Sequence, residues 1–91
     1  MIAKRVIFTG RVQGVGFRYT TREIANGFDV VGTVKNLPDG TVELIVGGEA
    51  DEVDEYLQEI TDESPVAHFI KETRIDDIPP LEDFRGFRIV S

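Results

Sequence analysis

Nine residues near the N-terminus, Gly10 to Arg18, combine the residue types that bind small anions. The segment reads G-R-V-Q-G-V-G-F-R and lies between a strand-like run and a helix-like run. Glycines in such a short connection let the backbone turn tightly and leave its amide N–H groups unshielded. Those amides, with the partial positive charge of a helix N-terminus, form a site for an anion. Because Arg18 lies where the helix should begin, its guanidinium can close that site. The segment predicts a compact oxyanion site and favours a phosphoryl group as its ligand.

The glycine spacing fits neither of the common nucleotide-binding loops. A P-loop has four residues between its glycines and then a lysine, whereas Gly10 and Gly14 are closer together and no lysine follows. A dinucleotide fingerprint has glycine or alanine three positions after Gly16, where this chain has Tyr19. Both nucleotide motifs are therefore excluded.

The elements that must position this segment are predicted from periodicity and turn residues. Helical spacing predicts one helix from Phe17 to Ala25, ended by Asn26-Gly27, and another over Asp51–Ile60. Leu37 to Gly40 reads L-P-D-G, which is typical of a hairpin turn. Strands are predicted over residues 4–10, 30–36, 41–47, 66–74 and 84–90, and a loop over residues 78–80. The order β-α-β-β-α-β plus a terminal strand predicts an α+β fold of the ferredoxin-like, split β-α-β type. In that fold two helices cover one face of a mainly antiparallel sheet.

Length and composition indicate one small globular domain over residues 1–91. Hydrophobic residues make up 41% of the chain, which suffices for a packed interior. The chain has no cysteine, which excludes disulfides and thiol chemistry and fits a reducing compartment. No apolar run is long enough to span a membrane, and the N-terminus lacks the apolar core of a signal peptide. We therefore expect a soluble, cytoplasmic monomer without a membrane partner.

The charge balance argues against nucleic acid as a partner. The chain has 17 acidic and 10 basic residues and a net charge of −7, whereas nucleic-acid binders need a basic surface. Acidic residues are concentrated in 49–63 and 76–83, while half of the basic residues lie in the first 22 positions. A small phosphorylated ligand held near Arg18 fits this distribution better than RNA or DNA does.

The glycine-rich segment and three later motifs resemble the acylphosphatase family. The later motifs are V-K-N at 34–36, D-G-T-V-E at 39–43 and F-R-G-F-R-I at 84–89, so the resemblance covers nearly the whole chain. It implies an enzyme that hydrolyses the carboxyl–phosphate bond of small acyl phosphates, giving a carboxylate and inorganic phosphate. It also implies that the reaction needs no metal and no cofactor.

The resemblance assigns roles to particular residues. Arg18 matches the arginine that binds the phosphate, and Asn36 matches the family's second catalytic residue, whose amide oxygen can orient the attacking water. Taken alone, an arginine at a helix start is most often solvated, and an asparagine before a turn is a turn former. The remaining phosphate contacts are expected from the backbone amides of Gln13, Gly14, Val15, Gly16 and Phe17.

Two functions of other classes stay open. Acylphosphatase-like domains also occur fused to hydrogenase-maturation proteins that handle carbamoyl phosphate, so a non-catalytic phosphate-binding or regulatory module is the first alternative. Because the sequence ends after one domain, we expect a free-standing enzyme. An RNA-binding ferredoxin-like domain is the second alternative. It is disfavoured because Phe8 is the only aromatic residue of the first strand and the third strand has none.

Two further residues are expected to stand outside the chemistry. His68, the single histidine, falls in the predicted fourth strand. Without a cysteine or a second histidine, we expect it to be a surface or packed residue and not a metal ligand. Thr33 occupies a position where the family commonly has an aromatic residue, and we expect this to alter packing more than chemistry.

Overall fold

A computed structural model describes residues 1–90 of the chain. The described part contains one five-stranded sheet with the strand order β4-β1-β3-β2-β5. Neighbouring strands are antiparallel except for β2 and β5, which are parallel. The elements are β1 (Ile2–Gly10), α1 (Phe17–Ala25), β2 (Val30–Asn36), β3 (Val42–Gly48), α2 (Ala50–Gln58), β4 (Ile70–Ile78) and β5 (Phe87–Val90). The predicted α+β, ferredoxin-like fold is confirmed.

The predicted strand over residues 66–74 is wrong at both ends. β4 begins only after a 3₁₀ turn, Ala67–Phe69, which contains His68. The carbonyl of Ser64 sets up this turn by accepting a hydrogen bond from the amide of Ala67 at 3.1 Å. Val66 is only 3% exposed, so it packs in the core without belonging to a strand. β4 then continues to Ile78, although the sequence predicts a loop over residues 78–80.

Other boundaries also differ from the prediction, and β3 lies one residue later than predicted, at Val42–Gly48. β5 begins at residue 87 and not at 84, because Asp83 and Gly86 have φ angles of 62° and 67°, which are incompatible with a strand. The second helix begins at residue 50 and continues beyond α2 as a π-helical turn, Glu59–Glu63. β1 begins two residues earlier than predicted, at Ile2.

The core lies between the two helices and one face of the sheet. The alternation predicted in the third strand is confirmed, because Val42, Leu44 and Val46 are fully buried while Glu43 is half-buried on the opposite face. Each helix contributes one buried stripe, and the stripes are Phe17, Thr21 and Ala25 on α1 and Val53, Tyr56 and Leu57 on α2. No helix within residues 1–90 combines the length and the apolar character that crossing a membrane requires.

Two contacts fix α1 against the rest of the core. The Tyr56 hydroxyl donates a hydrogen bond to the carbonyl of Thr21 at 2.8 Å, which joins α2 to α1. The rings of Phe8 and Phe17 pack with their centroids 5.0 Å apart, which joins the start of α1 to β1. A side chain of α2 and a side chain of β1 therefore hold α1 in place over the sheet.

The chain leaves β1 at a position that only glycine can occupy. Gly10 has a φ of 135°, and a Cβ there would collide with the carbonyl oxygen of Phe69. The close approach allows the next amide, that of Arg11, to donate to the same carbonyl at 3.0 Å. The strand register also shifts between Thr9 and Gly10. This contact with the turn before β4 fixes where the following loop begins.

Candidate active site

Residues 11–16 connect β1 to α1 and place an open glycine backbone at the helix N-terminus. Gly14 and Gly16 have φ angles of 79° and 78°, a conformation that side chains disfavour. No heavy atom lies within 4 Å of where a Cβ would stand at either glycine, so both face open space. Gly16 caps α1 without a side-chain hydrogen bond, and the first turn of α1 carries no acidic residue. Within residues 1–90, the first amides of α1 are thus free to bind an anion.

Arg18 lies in the first turn of α1, and its half-buried side chain extends toward β5. Its Nη1 is 3.5 Å from the carbonyl oxygen of Val90, at the limit of hydrogen-bonding distance. No carboxylate of residues 1–90 forms an ion pair with it. The guanidinium therefore retains most of its donors for an anion near the loop.

Asn36 is the last residue of β2 and brings an amide into the same region. It follows Val34 by two residues, so both side chains lie on the helix-facing side of the sheet. The Oδ1 atom of Asn36 is buried and has no hydrogen-bond partner within residues 1–90. A buried carbonyl oxygen without a partner is rare in native proteins and indicates a place for water or a ligand.

Gln13 joins the glycine loop to the turn that follows Asn36. Its Nε2 donates hydrogen bonds to the carbonyl oxygens of Leu37 and Thr41, each at 2.8 Å. The turn itself is closed by Asp39, whose carboxylate accepts from the hydroxyl of Thr41 at 2.6 Å and from its amide at 3.0 Å. These two hydrogen bonds, the hydroxyl's first, hold the pKa of Asp39 below its ordinary value. The side chain of Gln13 thereby ties the loop to the end of β2.

One pocket of about 180 Å³ lies where these elements meet. Five of the seven residues expected at the site line this pocket. Four of them belong to residues 14–18, and the fifth is Asn36 of β2. The lining residues are Val12, Gly14, Gly16, Phe17, Arg18, Tyr19, Asn36 and Ile89. Two expected residues lie outside this lining, since Gln13 points to the turn and Val15 packs against the core. None of the lining residues is acidic, so Arg18 gives the pocket a local positive charge in a chain of net charge −7.

The sequence prediction does not include three of the lining residues, Val12, Tyr19 and Ile89. Val12 lies inside the glycine-rich segment and is buried in the core. Tyr19 adjoins Arg18 in the chain and lies off the helical spacing of Phe17, Thr21 and Ala25, which was the signal in the sequence that it does not belong to the core. Ile89 reaches the pocket because β5 pairs in parallel with β2, where Ile89 lies beside Val34. No local pattern reveals that pairing.

A family model described as acylphosphatase matches residues 4–89. The chain belongs to the acylphosphatase family. It is 38% identical over 90 residues to the acylphosphatase of Acaryochloris marina, covering 99% of this chain and 95% of that protein. The predicted family and enzyme class are confirmed by such relatives.

Solved structures show the same relationship. The crystal structure of acylphosphatase from Bacillus subtilis matches with a TM-score of 0.90 and 33% identity, and it covers 100% of both chains. The crystal structure of T. kodakarensis HypF matches with a TM-score of 0.85 and 31% identity over all of this chain but only 12% of that one. The acylphosphatase fold thus stands alone in one of these structures and forms a small part of a larger chain in the other.

Within residues 1–90 there is no group of three or more histidine, cysteine, aspartate or glutamate side chains arranged to hold a metal ion. His68 is exposed on the 3₁₀ turn, where its ring packs on Phe69 with a centroid distance of 4.0 Å. It lies outside the lining of the pocket.

Proposed function

We propose that this acylphosphatase-family chain hydrolyses the carboxyl–phosphate bond of small acyl phosphates in the pocket between α1, β2 and β5. The single observation that carries the proposal is the pairing of Arg18 with the unpartnered Oδ1 of Asn36 in one cavity. An arginine and a helix N-terminus can bind a phosphoryl group, and a free amide oxygen can hold a water molecule beside it. The names of the related acylphosphatases supply the reaction.

The phosphoryl group is bound by Arg18 and by the backbone amides of residues 13–17. The positive φ angles of Gly14 and Gly16 support this, because they turn the loop without placing a side chain over it. In the transition state, negative charge is spread over the three equatorial phosphoryl oxygens. Hydrogen-bond donors that are already fixed in place stabilise this charge most effectively. The weak contact between Arg18 and Val90 is easily exchanged for a phosphoryl oxygen, which is a better acceptor.

The attacking water is oriented by Asn36. Its Oδ1 accepts a hydrogen bond from the water, and burial of that atom limits the number of orientations the water can take. Asparagine is not a base at neutral pH, so the proton passes to the phosphoryl group of the substrate or to solvent. The bond from phosphorus to the carboxylate oxygen breaks as the bond from the water oxygen forms. The leaving group departs as a carboxylate, which needs no general acid.

Gln13 supports both halves of the site. Its two hydrogen bonds keep the amide loop at a fixed distance from the turn after Asn36. Phosphoryl transfer depends on an in-line arrangement of water, phosphorus and leaving oxygen. A tether between the loop that holds phosphorus and the strand that holds water preserves that arrangement.

The domain organisation, the oligomeric state and the cellular location of the chain are also proposals. Residues 1–91 form one domain, which is supported by the match over residues 4–89 and by the single sheet. The expectations of a monomer and of a cytoplasmic location stay predictions, which sedimentation analysis and cell fractionation would test.

A non-catalytic phosphate-binding module is the second candidate, because the same fold also occurs as a small part of a larger chain, that of HypF. The two candidates are separated by measuring benzoyl phosphate hydrolysis together with binding of inorganic phosphate. An enzyme turns over benzoyl phosphate and is competitively inhibited by inorganic phosphate. A folded chain that binds inorganic phosphate without hydrolysing any acyl phosphate would support the module and contradict the enzyme.

A further inference from the structure

The pocket has an apolar side that phosphate binding does not explain. Val12 and Phe17 are each 1% exposed and belong to the core, so they form the floor. Tyr19 and Ile89 are 59% and 38% exposed, so they stand at the mouth. Large apolar side chains at the opening of a polar pocket indicate a ligand with an apolar part.

Core packing does not account for the position of Tyr19. The buried residues of α1 are Phe17, Thr21 and Ala25, which recur every four residues. Tyr19 lies two residues after Phe17 and therefore on the other side of the helix. Its ring is among the most exposed hydrophobic side chains of residues 1–90. Tyr19 instead lines the pocket.

The orientation of a bound substrate follows from which lining residues are buried and which are exposed. The attacking water and the leaving carboxylate lie on opposite sides of phosphorus in an in-line displacement. The Oδ1 atom of Asn36, which is proposed to hold the water, is buried, whereas Tyr19 and Ile89 are exposed. The acyl group therefore points outward, through the mouth between Tyr19 and Ile89.

We propose that Tyr19 and Ile89 bind the acyl group of the substrate and make this chain selective for aromatic or branched apolar acyl phosphates over acetyl phosphate. This inference rests on the proposed function, because it takes the phosphoryl position from Arg18 and Asn36. The Tyr19 ring stacks on or packs against an apolar acyl group, and Ile89 contacts its other side. An acetyl group is too short to use both contacts.

The expected selectivity is moderate because both side chains stay partly in solvent. One methylene group in an enclosed pocket discriminates by roughly 10-fold to 200-fold. For a half-open pair of side chains we expect about 10-fold, at the low end of that range. The effect should appear in kcat/KM for aromatic substrates and only weakly for acetyl phosphate.

The test measures kcat/KM for benzoyl phosphate and for acetyl phosphate in the full chain and in four variants. Tyr19→Ser and Ile89→Thr remove the apolar contacts, while Tyr19→Phe keeps the ring and loses only the hydroxyl. Phe84→Ser is the matched control, because Phe84 is 37% exposed but does not line the pocket. Melting temperature confirms that each variant is folded.

We expect the benzoyl-to-acetyl ratio of kcat/KM to fall about 10-fold in Tyr19→Ser, less in Ile89→Thr, and not at all in the two controls. A ratio unchanged in both Tyr19→Ser and Ile89→Thr would overturn the inference while leaving the proposed hydrolysis intact. An equal loss for both substrates in Tyr19→Ser would also overturn it. No turnover of either substrate by the folded native chain would overturn the proposed function and this inference together.

Discussion

Asn36→Ala should slow catalysis strongly and leave the protein at least as stable as before. If Asn36 orients the attacking water, that orientation matters most in the transition state, so its loss should lower kcat and change KM little. Removing one oriented hydrogen bond of this kind lowers kcat by ~10²–10³. The loop and Arg18 are unaffected, so inorganic phosphate should inhibit the variant and the native chain equally.

The effect on stability follows from the unpartnered Oδ1 of Asn36. A buried polar atom without a partner lowers the free energy of unfolding by ~1–3 kcal/mol, and a bound water recovers part of that. Alanine removes the atom together with some packing of its side chain. We therefore expect the free energy of unfolding of Asn36→Ala to equal the native value or exceed it by up to about 1 kcal/mol. For a domain of this size, 1 kcal/mol raises Tm by about 4–8 °C.

The assay combines steady-state hydrolysis of benzoyl phosphate with thermal unfolding. Asn26→Ala is the matched control, since Asn26 is the only other asparagine, is exposed and lies outside the pocket. Asn36→Asp keeps an oxygen acceptor but adds a negative charge beside the phosphoryl group, so its KM should rise. An Asn36→Ala variant with a raised KM and an unchanged kcat would refute the water-orienting role. A loss of stability that accompanies the loss of activity would show that Asn36 is structural.

Three other predictions concern the supports of the site. Gln13→Ala should lower kcat/KM roughly 10-fold, because the loop loses its hydrogen bonds to the turn after Asn36. Gln13→Glu should lower kcat/KM further, because its carboxylate would face the two carbonyl oxygens of Leu37 and Thr41. Steady-state kinetics that rank the two variants the other way would contradict this role of Gln13. Tyr56→Phe removes the buried hydrogen bond to Thr21 and should lower the free energy of unfolding by about 1 kcal/mol, seen as a lower Tm. A Tm equal to the native value would rule out that contribution. The hydrogen bonds from Thr41 lower the pKa of Asp39, so their stabilisation is present above the ordinary value of 3.8 and is lost as pH falls through the lowered pKa. Asp39→Ala should thus lower Tm at neutral pH but not well below pH 3.8, and a difference in Tm that persists in acid would contradict this assignment.

The elements that could be predicted are those whose signals are local. The glycines before Arg18, the helical spacing of α1 and the alternation in β3 each lie within a few residues, and the structure has them in place. The turn before β4 could not be predicted, because Val66 is buried as a strand residue would be while its backbone follows the turn set by Ser64. A hydrophobic residue in the sequence indicates burial but not backbone conformation. A buried residue of a turn and a buried residue of a strand therefore look alike in sequence.

The family resemblance predicted the roles of Arg18 and Asn36, but not the residues that packing between distant elements brings into the pocket. Nothing local shows that Asn36 and Arg18 share a cavity, since that depends on α1 packing over β2. The place of Ile89 depends on the parallel pairing of β5 with β2, which joins distant parts of the chain. The unpartnered Oδ1 of Asn36 is likewise invisible in sequence, because burial and hydrogen bonding are properties of the folded chain.

Arg18 is proposed to bind the phosphoryl group of an acyl phosphate during hydrolysis. The most direct measurement compares benzoyl phosphate hydrolysis, with EDTA present, by the native chain, by Arg18→Ala and by Arg22→Ala. Arg22 is the matched control because it is an exposed arginine of the same helix and lies outside the pocket. We predict turnover that persists in EDTA, a loss of at least ~10²–10³ in kcat/KM for Arg18→Ala, and activity near the native level for Arg22→Ala. Equal activity in the two arginine variants, or no turnover by the folded native chain, would contradict the account.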